Sequence, residues 1–294
     1  MDFDTSEKLD FPNQEISGRI RAMHLIDGKA LAEQLRNELQ ETLKMSGKKP
    51  FLAVLLVGDD PASALYVKLK KKAAEEVGIR VDITHKDGTT SVQELIQLIQ
   101  TWNNDPAVHG ILVQLPLPAQ YDEQIVIDAM DPKKDADGFH PENVAALYQG
   151  DVRIIPPVHE GILRLISQTP VHVNGARTVI IGNSEIFTKP LERLLTTAGA
   201  HVTRLGPDAI EDERVKEANI MISAVGSPHL IKPSHVKDDA VLIDVGTTKL
   251  ENEKLAGDVD GAAFENTDCW ITPVPGGVGP MTIAQLLWNV YKLS

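Results

Sequence analysis

Seven consecutive apolar residues, Phe51-Leu-Ala-Val-Leu-Leu-Val57, followed by Gly58, constrain the fold of this chain more than any other stretch. A strand with no polar alternation is buried on both faces, which is the condition of a parallel sheet covered by helices. Asp60 and Pro61 then read as an N-cap and the proline of a first helical turn. Gly78 reads as the C-terminal stop. The helix between them carries Tyr66 and Lys70, four residues apart and therefore on one face. A phenol and an amine are thus delivered side by side beyond the carboxyl end of a strand, where ligand sites of open α/β sheets lie. Each residue also has a plain reading. A lysine among Lys68, Lys70, Lys71 and Lys72 is ordinarily a solvated helix face, and a tyrosine is ordinarily half-buried packing.

The rest of the chain repeats the pattern. Leu31, Leu35, Leu39 and Leu43 recur every four residues in a helix over 27–45. Strands are expected at 79–84 and in His109-Gly110-Ile-Leu-Val-Gln114-Leu-Pro116-Leu-Pro118, whose prolines bar it from continuing inside a sheet. A helix is expected at 91–102, and residues 141–165 read as a bridge to a second unit. That unit has short apolar strands ending in glycine at Gly182, Gly226 and Gly246, with a strand at 201–205 and a helix near 186–198. Strand, glycine and helix in this order are the layout of a Rossmann domain. The G-x-G-x-x-G fingerprint is absent. The expected fold class is therefore α/β, in two lobes. Asp135 and Asp137 before Gly138 are commonly turn chemistry. With His140 they make only a weak metal signal, so no metal is expected. The closing Thr272-Pro-Val-Pro-Gly-Gly-Val-Gly-Pro-Met-Thr282 is too rich in glycine and proline for regular structure. It suits a fixed loop lining a pocket.

Composition narrows the function. A net charge of −13 over 294 residues argues against nucleic acid as a partner. The single Cys269 excludes an intramolecular disulfide and a multi-cysteine metal site. No apolar run reaches the roughly 18 residues of a membrane span. Residues 1–22 hold five acidic side chains and no apolar core, unlike a secretory or transit peptide. They read as a mobile extension of a cytoplasmic protein.

Tyr66-Val-x-x-Lys70-x-Lys72, Gly110-Ile-Leu-Val-Gln114-Leu-Pro-Leu-Pro118, Lys134-Asp-Ala-Asp137-Gly-Phe-His140-Pro-x-Asn143, Gly257-Asp258-Val259 and the 272–282 loop occur in one order. In this the chain resembles the methylenetetrahydrofolate dehydrogenase/methenyltetrahydrofolate cyclohydrolase family, the bifunctional FolD-type enzymes, from Met23 to the last helix. The resemblance implies a folate-binding catalytic lobe of residues 23–145 with 273–294, a Rossmann NADP-binding lobe of 146–272, and a homodimer. It implies Lys70 as general acid/base, Tyr66 orienting the folate, Gln114 tuning Lys70 and Asp137 holding the pterin. Pro275, Gly276 and Gly277 would line the folate pocket. Gly182, Asn183, Ser184, Arg204 and Thr247 would bind NADP. Lys70 is expected to be an exposed cleft residue whose charge Lys68, Lys71 and Lys72, with partial burial, disfavour.

The sequence departs from the family mainly on the cofactor side. The usual G-x-S-x-x-x-G-x-P reads Gly182-Asn-Ser184-Glu-Ile-Phe187-Thr188-Lys-Pro190. P-C-T-P-x-G reads Pro156-Pro-Val158-His159-Glu-Gly161, and D-V-G-I-N reads Asp244-Val-Gly-Thr247-Thr248. The histidine-serine pair common after the second Rossmann strand is replaced by Arg204-Leu205. Arg204, 22 residues past Gly182, suits a 2′-phosphate, so NADP is expected over NAD. Thr188, bulkier than glycine and ill-suited to a positive φ, is expected to weaken that binding. Two other readings follow: a cyclohydrolase with weak or lost dehydrogenase activity, and a non-catalytic folate-binding protein of the same fold. Leu115–Pro116 and Val274–Pro275, in tight segments facing the pocket, are expected to be cis.

Overall fold

The computed structural model describes residues 21–251 and 253–294. Nearly all of the expected N-terminal extension lies outside the described residues. The chain begins with β1 (His24–Leu25) and α1 (Gly28–Ser46). Asp27 caps α1 by accepting the Ala30 N–H. Next come β2 (Phe51–Val57), α2 (Pro61–Val77), β3 (Arg80–Lys86), α3 (Val92–Asn104), β4 (Gly110–Val113) and α4 (Glu123–Asp128). All seven residues of β2 are buried, as its unbroken apolar run requires. It pairs in parallel with β3 on one side and β4 on the other. Because β2 is central, its carboxyl end is a point where the chain leaves toward two different neighbours, and a crevice opens there. Asp60 caps α2 on the Ser63 N–H, and Gly78 ends it in the left-handed conformation at φ 96°. This cap aims the Tyr66–Lys70 face of α2 back across the strand ends.

Residues 141–165 are more ordered than a bridge. They contain α5 (Pro141–Gln149) and most of α6 (Pro157–Ile166), each begun by a proline at N1. Ile162, Leu165 and Ile166 of α6 are fully buried, which makes this helix part of the core.

The second unit follows as β5 (Arg177–Gly182), α7 (Glu185–Thr197), β6 (His201–Leu205), α8 (Glu213–Lys216), β7 (Ile220–Ala224) and β8 (Val241–Asp244). A small hairpin, β9 (Thr248–Lys249) with β10 (Leu255–Ala256), precedes β11 (Trp270–Ile271) and α9 (Val278–Lys292). The strand order β6-β5-β7-β8-β11-β1 is wholly parallel, and β1 from the chain's start closes its edge. The crevice of this sheet lies where β5 meets β7, the strands reached by opposite crossovers.

Two helices join the units. In α1, Ala32 and Leu35 pack into the core around β5 and β7, whereas Leu39 and Leu43 pack into the core around β2. In α9, Val278, Met281 and Ala284 face the first core, and Ile283, Leu286, Leu287 and Val290 face the second. The four-residue leucine repeat of α1 therefore serves two cores in turn.

Candidate active site

Lys70 is buried, at 8% exposure, contrary to the expectation of an exposed cleft lysine. The reason is helical register. Ser63, Val67, Lys70, Ala74 and Val77 form the inward face of α2. Lys71 and Lys72 face outward beside Glu75 and Glu76, each 3.9 Å away. The pKa of Lys70 is lowered by burial and partly restored by the Asp137 carboxylate, so the neighbouring lysines are not its cause. Lys70 Nζ donates to Gln114 Oε1 at 3.0 Å. Gln114 follows β4, and its backbone N–H reaches the Leu55 carbonyl of β2. Its side-chain Nε2 donates to the Leu115 carbonyl at 2.6 Å, which turns Oε1 toward the amine. A neutral amide holds Lys70 in place without the charge that would drive its pKa back up. Tyr66, half-buried, lies one turn before Lys70 on the same helix.

Asp137 sits on a loop built by its neighbour. Asp135, fully buried, accepts from Gly138 N at 2.9 Å, His140 N at 2.8 Å and Asn143 Nδ2 at 2.9 Å. Its carboxylate is thus spent on turn geometry. Gly138 takes φ 71°, which a side chain would resist. Asn289 of α9 donates to Ala136 O and Ile155 O at 3.0 and 2.9 Å, and so ties the loop to the last helix. The result is a half-buried Asp137 whose carboxyl is pushed up to about 6, by burial first, with Lys70 opposing and Asp135 adding. Its unfolded value is 3.8, so the folded state holds this proton more tightly. The associated stability is present at low pH and is lost as pH rises through about 6. Both oxygens of this carboxyl accept freely only when it is ionised. From the pterin role that the sequence resemblance implies for Asp137, we expect kcat/KM for the folate substrate to fall as pH drops below about 6, and Asp137→Asn to flatten that limb. Cyclohydrolase rates between pH 5 and 8 check this; an unchanged limb in the variant would detach it from Asp137.

The 272–282 loop begins with Thr272, whose Oγ1 accepts the Asp244 N–H at 2.8 Å. Leu115–Pro116 and Val274–Pro275 are both cis, as expected. Pro275 is exposed, Gly276 is half-buried at φ 118°, and Gly277, buried, precedes α9. A Cβ on Gly28 would fall 2.1 Å from the Gly277 carbonyl, so the loop and the start of α1 touch backbone to backbone. Among the described residues, these three make no hydrogen bond to Lys70, Gln114 or Asp137. Two buried aspartates lock the adjoining strand ends. Asp244 accepts from Gly246 N, Asp258 N and Val259 N, and its carboxyl is pushed up to about 7 chiefly by burial. Asp258 accepts from Ser223 Oγ, Val225 N and Ser227 N.

At the carboxyl ends of β5 and β6, a pocket of about 260 Å³ is lined by Gly182, Asn183, Ser184, Glu185, Thr188, Arg204, Leu205 and Gly206. Ser184 makes no capping bond, which leaves the first N–H groups of α7 open to an anion. Asn183 Nδ2 reaches Val225 O at 3.1 Å and spans the β5–β7 crevice. These features fit a dinucleotide pyrophosphate. Thr188 lies inside α7 and is not among the positive-φ residues, which corrects the backbone argument made from sequence. Its side chain instead constrains position 182: Thr188 Cγ2 stands 3.0 Å from where a Cβ on Gly182 would be, so glycine fits there without a shift. Arg204 reaches Thr188 Oγ1 at 3.5 Å, but its Nε is 2.6 Å from Glu192 Oε2. Glu192, unseen from sequence, competes for the charge a 2′-phosphate would use. Thr247 is exposed beyond β8 and is not among the residues lining this pocket.

Residues 26–137 match the family model for the tetrahydrofolate dehydrogenase/cyclohydrolase catalytic domain. Residues 156–294 match the NAD(P)-binding domain of the same family. The chain belongs to this family. Among curated relatives, the bifunctional protein FolD of Magnetococcus marinus is 48% identical over 277 residues, covering 92% of this chain and 96% of that one. The FolD of Bacillus licheniformis is 45% identical over 272 residues, with 91% and 96% covered. The crystal structure of the Campylobacter jejuni bifunctional FolD superposes with a TM-score of 0.87 at 41% identity, covering 92% and 98%. The Trypanosoma brucei enzyme, solved with NADP cofactor and inhibitor, gives 0.87 at 32% identity, covering 92% and 97%. As a tetrahydrofolate dehydrogenase/cyclohydrolase, the chain assembles Lys70, Gln114 and Asp137 from three separate segments. Sequence reading missed Asn289, Glu192 and the Asp244 lock. For Asn289 the available signal was an amide on the inward face of an apolar helix.

Proposed function

We propose that one site performs two successive reactions: oxidation of 5,10-methylenetetrahydrofolate by NADP+ and hydrolysis of the methenyl product to 10-formyltetrahydrofolate. The observation carrying this reading is the buried Lys70 amine, its pKa lowered, held by Gln114 beside the Asp137 carboxyl. Asp137 accepts from the pterin N–H groups, and Tyr66 packs against its ring. The crevice at Gly182–Thr188 seats the pyrophosphate on the first turn of α7. NADP+, when bound there, supplies the hydride acceptor. Lys70 as free amine takes a proton from the water that attacks the methenyl carbon. As ammonium it returns one to N5 when the C–N5 bond breaks, so hydrolysis releases one proton overall. A group that does both needs a pKa near the working pH, and burial lowers that of Lys70 in this direction.

The lobes divide the work. Residues 23–145 with 273–294 bind folate, and 146–272 bind the dinucleotide. The outer edge of β6, unpaired among the described residues, supports a homodimer through that strand. No described helix is long and apolar enough to cross a membrane, and we place the enzyme in the cytoplasm. The Thr188 side chain lining the pocket, and Glu192 pairing with Arg204, support NADP+ binding weaker than is usual for such a pocket, still preferred over NAD+. The test follows NADPH formation and methenyltetrahydrofolate decay separately, with titrations of both dinucleotides. The reading expects both activities and tighter NADP+. Methenyl decay without NADPH formation would favour a cyclohydrolase alone. Sub-micromolar NADP+ binding would contradict the crowding argument.

A further inference from the structure

His159 is fully buried on α6, outside the folate group and behind the dinucleotide pocket. Its Nε2 lies 2.9 Å from the Phe187 carbonyl, which can only accept, so Nε2 carries the proton. Burial holds its pKa down to about 4, and the ring stays neutral at physiological pH. Nδ1 is then a bare acceptor, with no partner among the described residues. A buried acceptor left unpaired costs stability, so packing alone does not explain a histidine at this position. The two rings also touch, centroids 5.1 Å apart at 43°.

The receiving turn needs outside support. Pro190 lies inside α7 and has no N–H to offer the Ile186 carbonyl four residues earlier. The helical ladder therefore lacks its bond to the Ile186 carbonyl, although the Thr188 N–H still reaches Ser184 O at 2.9 Å. Two side-chain bonds add to this weakened turn: Thr188 Oγ1 to Ser184 O at 3.0 Å, and His159 Nε2 to Phe187 O at 2.9 Å. Thr188, next to Phe187, lines the pocket itself and lies 3.5 Å from Arg204, which also lines it. His159 stands where the sequence leaves the family's usual pattern, and so does Thr188, the residue after Phe187.

We propose that His159 is a positioning residue for the dinucleotide: by clamping the Phe187 carbonyl it sets how close the first turn of α7 stands to β5, and hence the affinity for NADP+. It touches neither substrate nor the reacting atoms. The inference rests on the dinucleotide reading of the pocket.

His159→Phe keeps a ring and removes the donor, whereas His159→Gln keeps a donor. NADP+ affinity is read by calorimetric titration, KM by dehydrogenase rates, and cyclohydrolase constants by methenyl decay without NADP+. His159→Phe is expected to weaken NADP+ at least fivefold in both Kd and KM. Its dehydrogenase kcat and both cyclohydrolase constants should stay within twofold, and His159→Gln should lie nearer the parent. Unchanged NADP+ affinity in a folded His159→Phe would overturn the clamp, as would a parallel loss of cyclohydrolase activity. A second measurement needs no variant: the His159 Nε2 proton resonance should shift on saturation with NADP+, and a stationary resonance would overturn the clamp. A parent that binds no NADP+ would instead refute the dinucleotide reading itself.

Discussion

Lys70→Gln is expected to lower cyclohydrolase kcat by roughly 10²–10⁴-fold, the range supplied by a positioned proton-transfer group. Glutamine reaches a similar depth but cannot exchange a proton near neutral pH. The fold should survive, though not because the site is exposed. Lys70 is buried, and its folded pKa lies below the unfolded 10.5. The unfolded chain therefore binds this proton more tightly, and in the window from the lowered pKa up to about 10.5 stability rises with pH. Replacing the amine by a neutral amide removes that penalty, and a melting temperature at pH 7 equal to or above the parent's is expected. The loss is offset in part because Gln114 Oε1 keeps an amide donor within reach. Methenyl decay with a thermal melt checks both halves. A rate within tenfold of the parent would take Lys70 out of the mechanism.

Gly257→Ala should be the most disruptive single methyl in the cofactor lobe. Its Cβ would stand 2.0 Å from Asp244 Oδ2 and 2.7 Å from Val274 Cγ2. Asp244 has no room to withdraw, since three backbone N–H groups hold its carboxylate. Either that network breaks or the loop carrying the cis Val274–Pro275 bond moves. We expect a cost of about 3 kcal/mol or more, at the upper end for overpacking. For a chain of this size that is a fall in melting temperature of roughly 6–12 °C. NADP+ affinity should drop with it, because Asp258 on the same segment anchors Val225 N at the end of β7. Gly261→Ala is the control: nothing lies within 4 Å of its Cβ. Equal melting temperatures for the two variants would show that the aspartate lock is looser than its geometry.

How much of this was legible depends on whether the determinant is local. β2 announced itself because a strand buried on both faces must be apolar throughout. Tyr66 and Lys70 could be paired from helical spacing alone. The burial of Lys70 was also legible, since position 70 shares its face with Val67, Ala74 and Val77; the surrounding lysines hid the register. Of the two arguments about Thr188, the one from a positive φ fails because the residue lies inside a regular helix, and the one from side-chain bulk is left. The segment at 141–165 was read as a bridge although prolines at N1 start both its helices. The remaining features are non-local. The Asp244–Gly257 contact joins two loops, Asn289 binds two carbonyls more than a hundred residues away, and His159 meets Phe187 only after α6 packs on α7. No periodicity records such pairs. The departures at His159 and Thr188 were visible separately, but the contact of His159 with the neighbouring Phe187 was not.

The central claim is that burial tunes Lys70 for proton transfer, and its own titration tests this most directly. With the lysine side chains carrying ¹³C at Cε, the pH dependence of each resonance can be followed by NMR. We expect one resonance, absent from Lys70→Gln, to titrate well below 10.5 while the surface lysines Lys71 and Lys72 do not. If the resonance lost in Lys70→Gln titrates with the surface lysines at about 10.5, the account of this site is wrong.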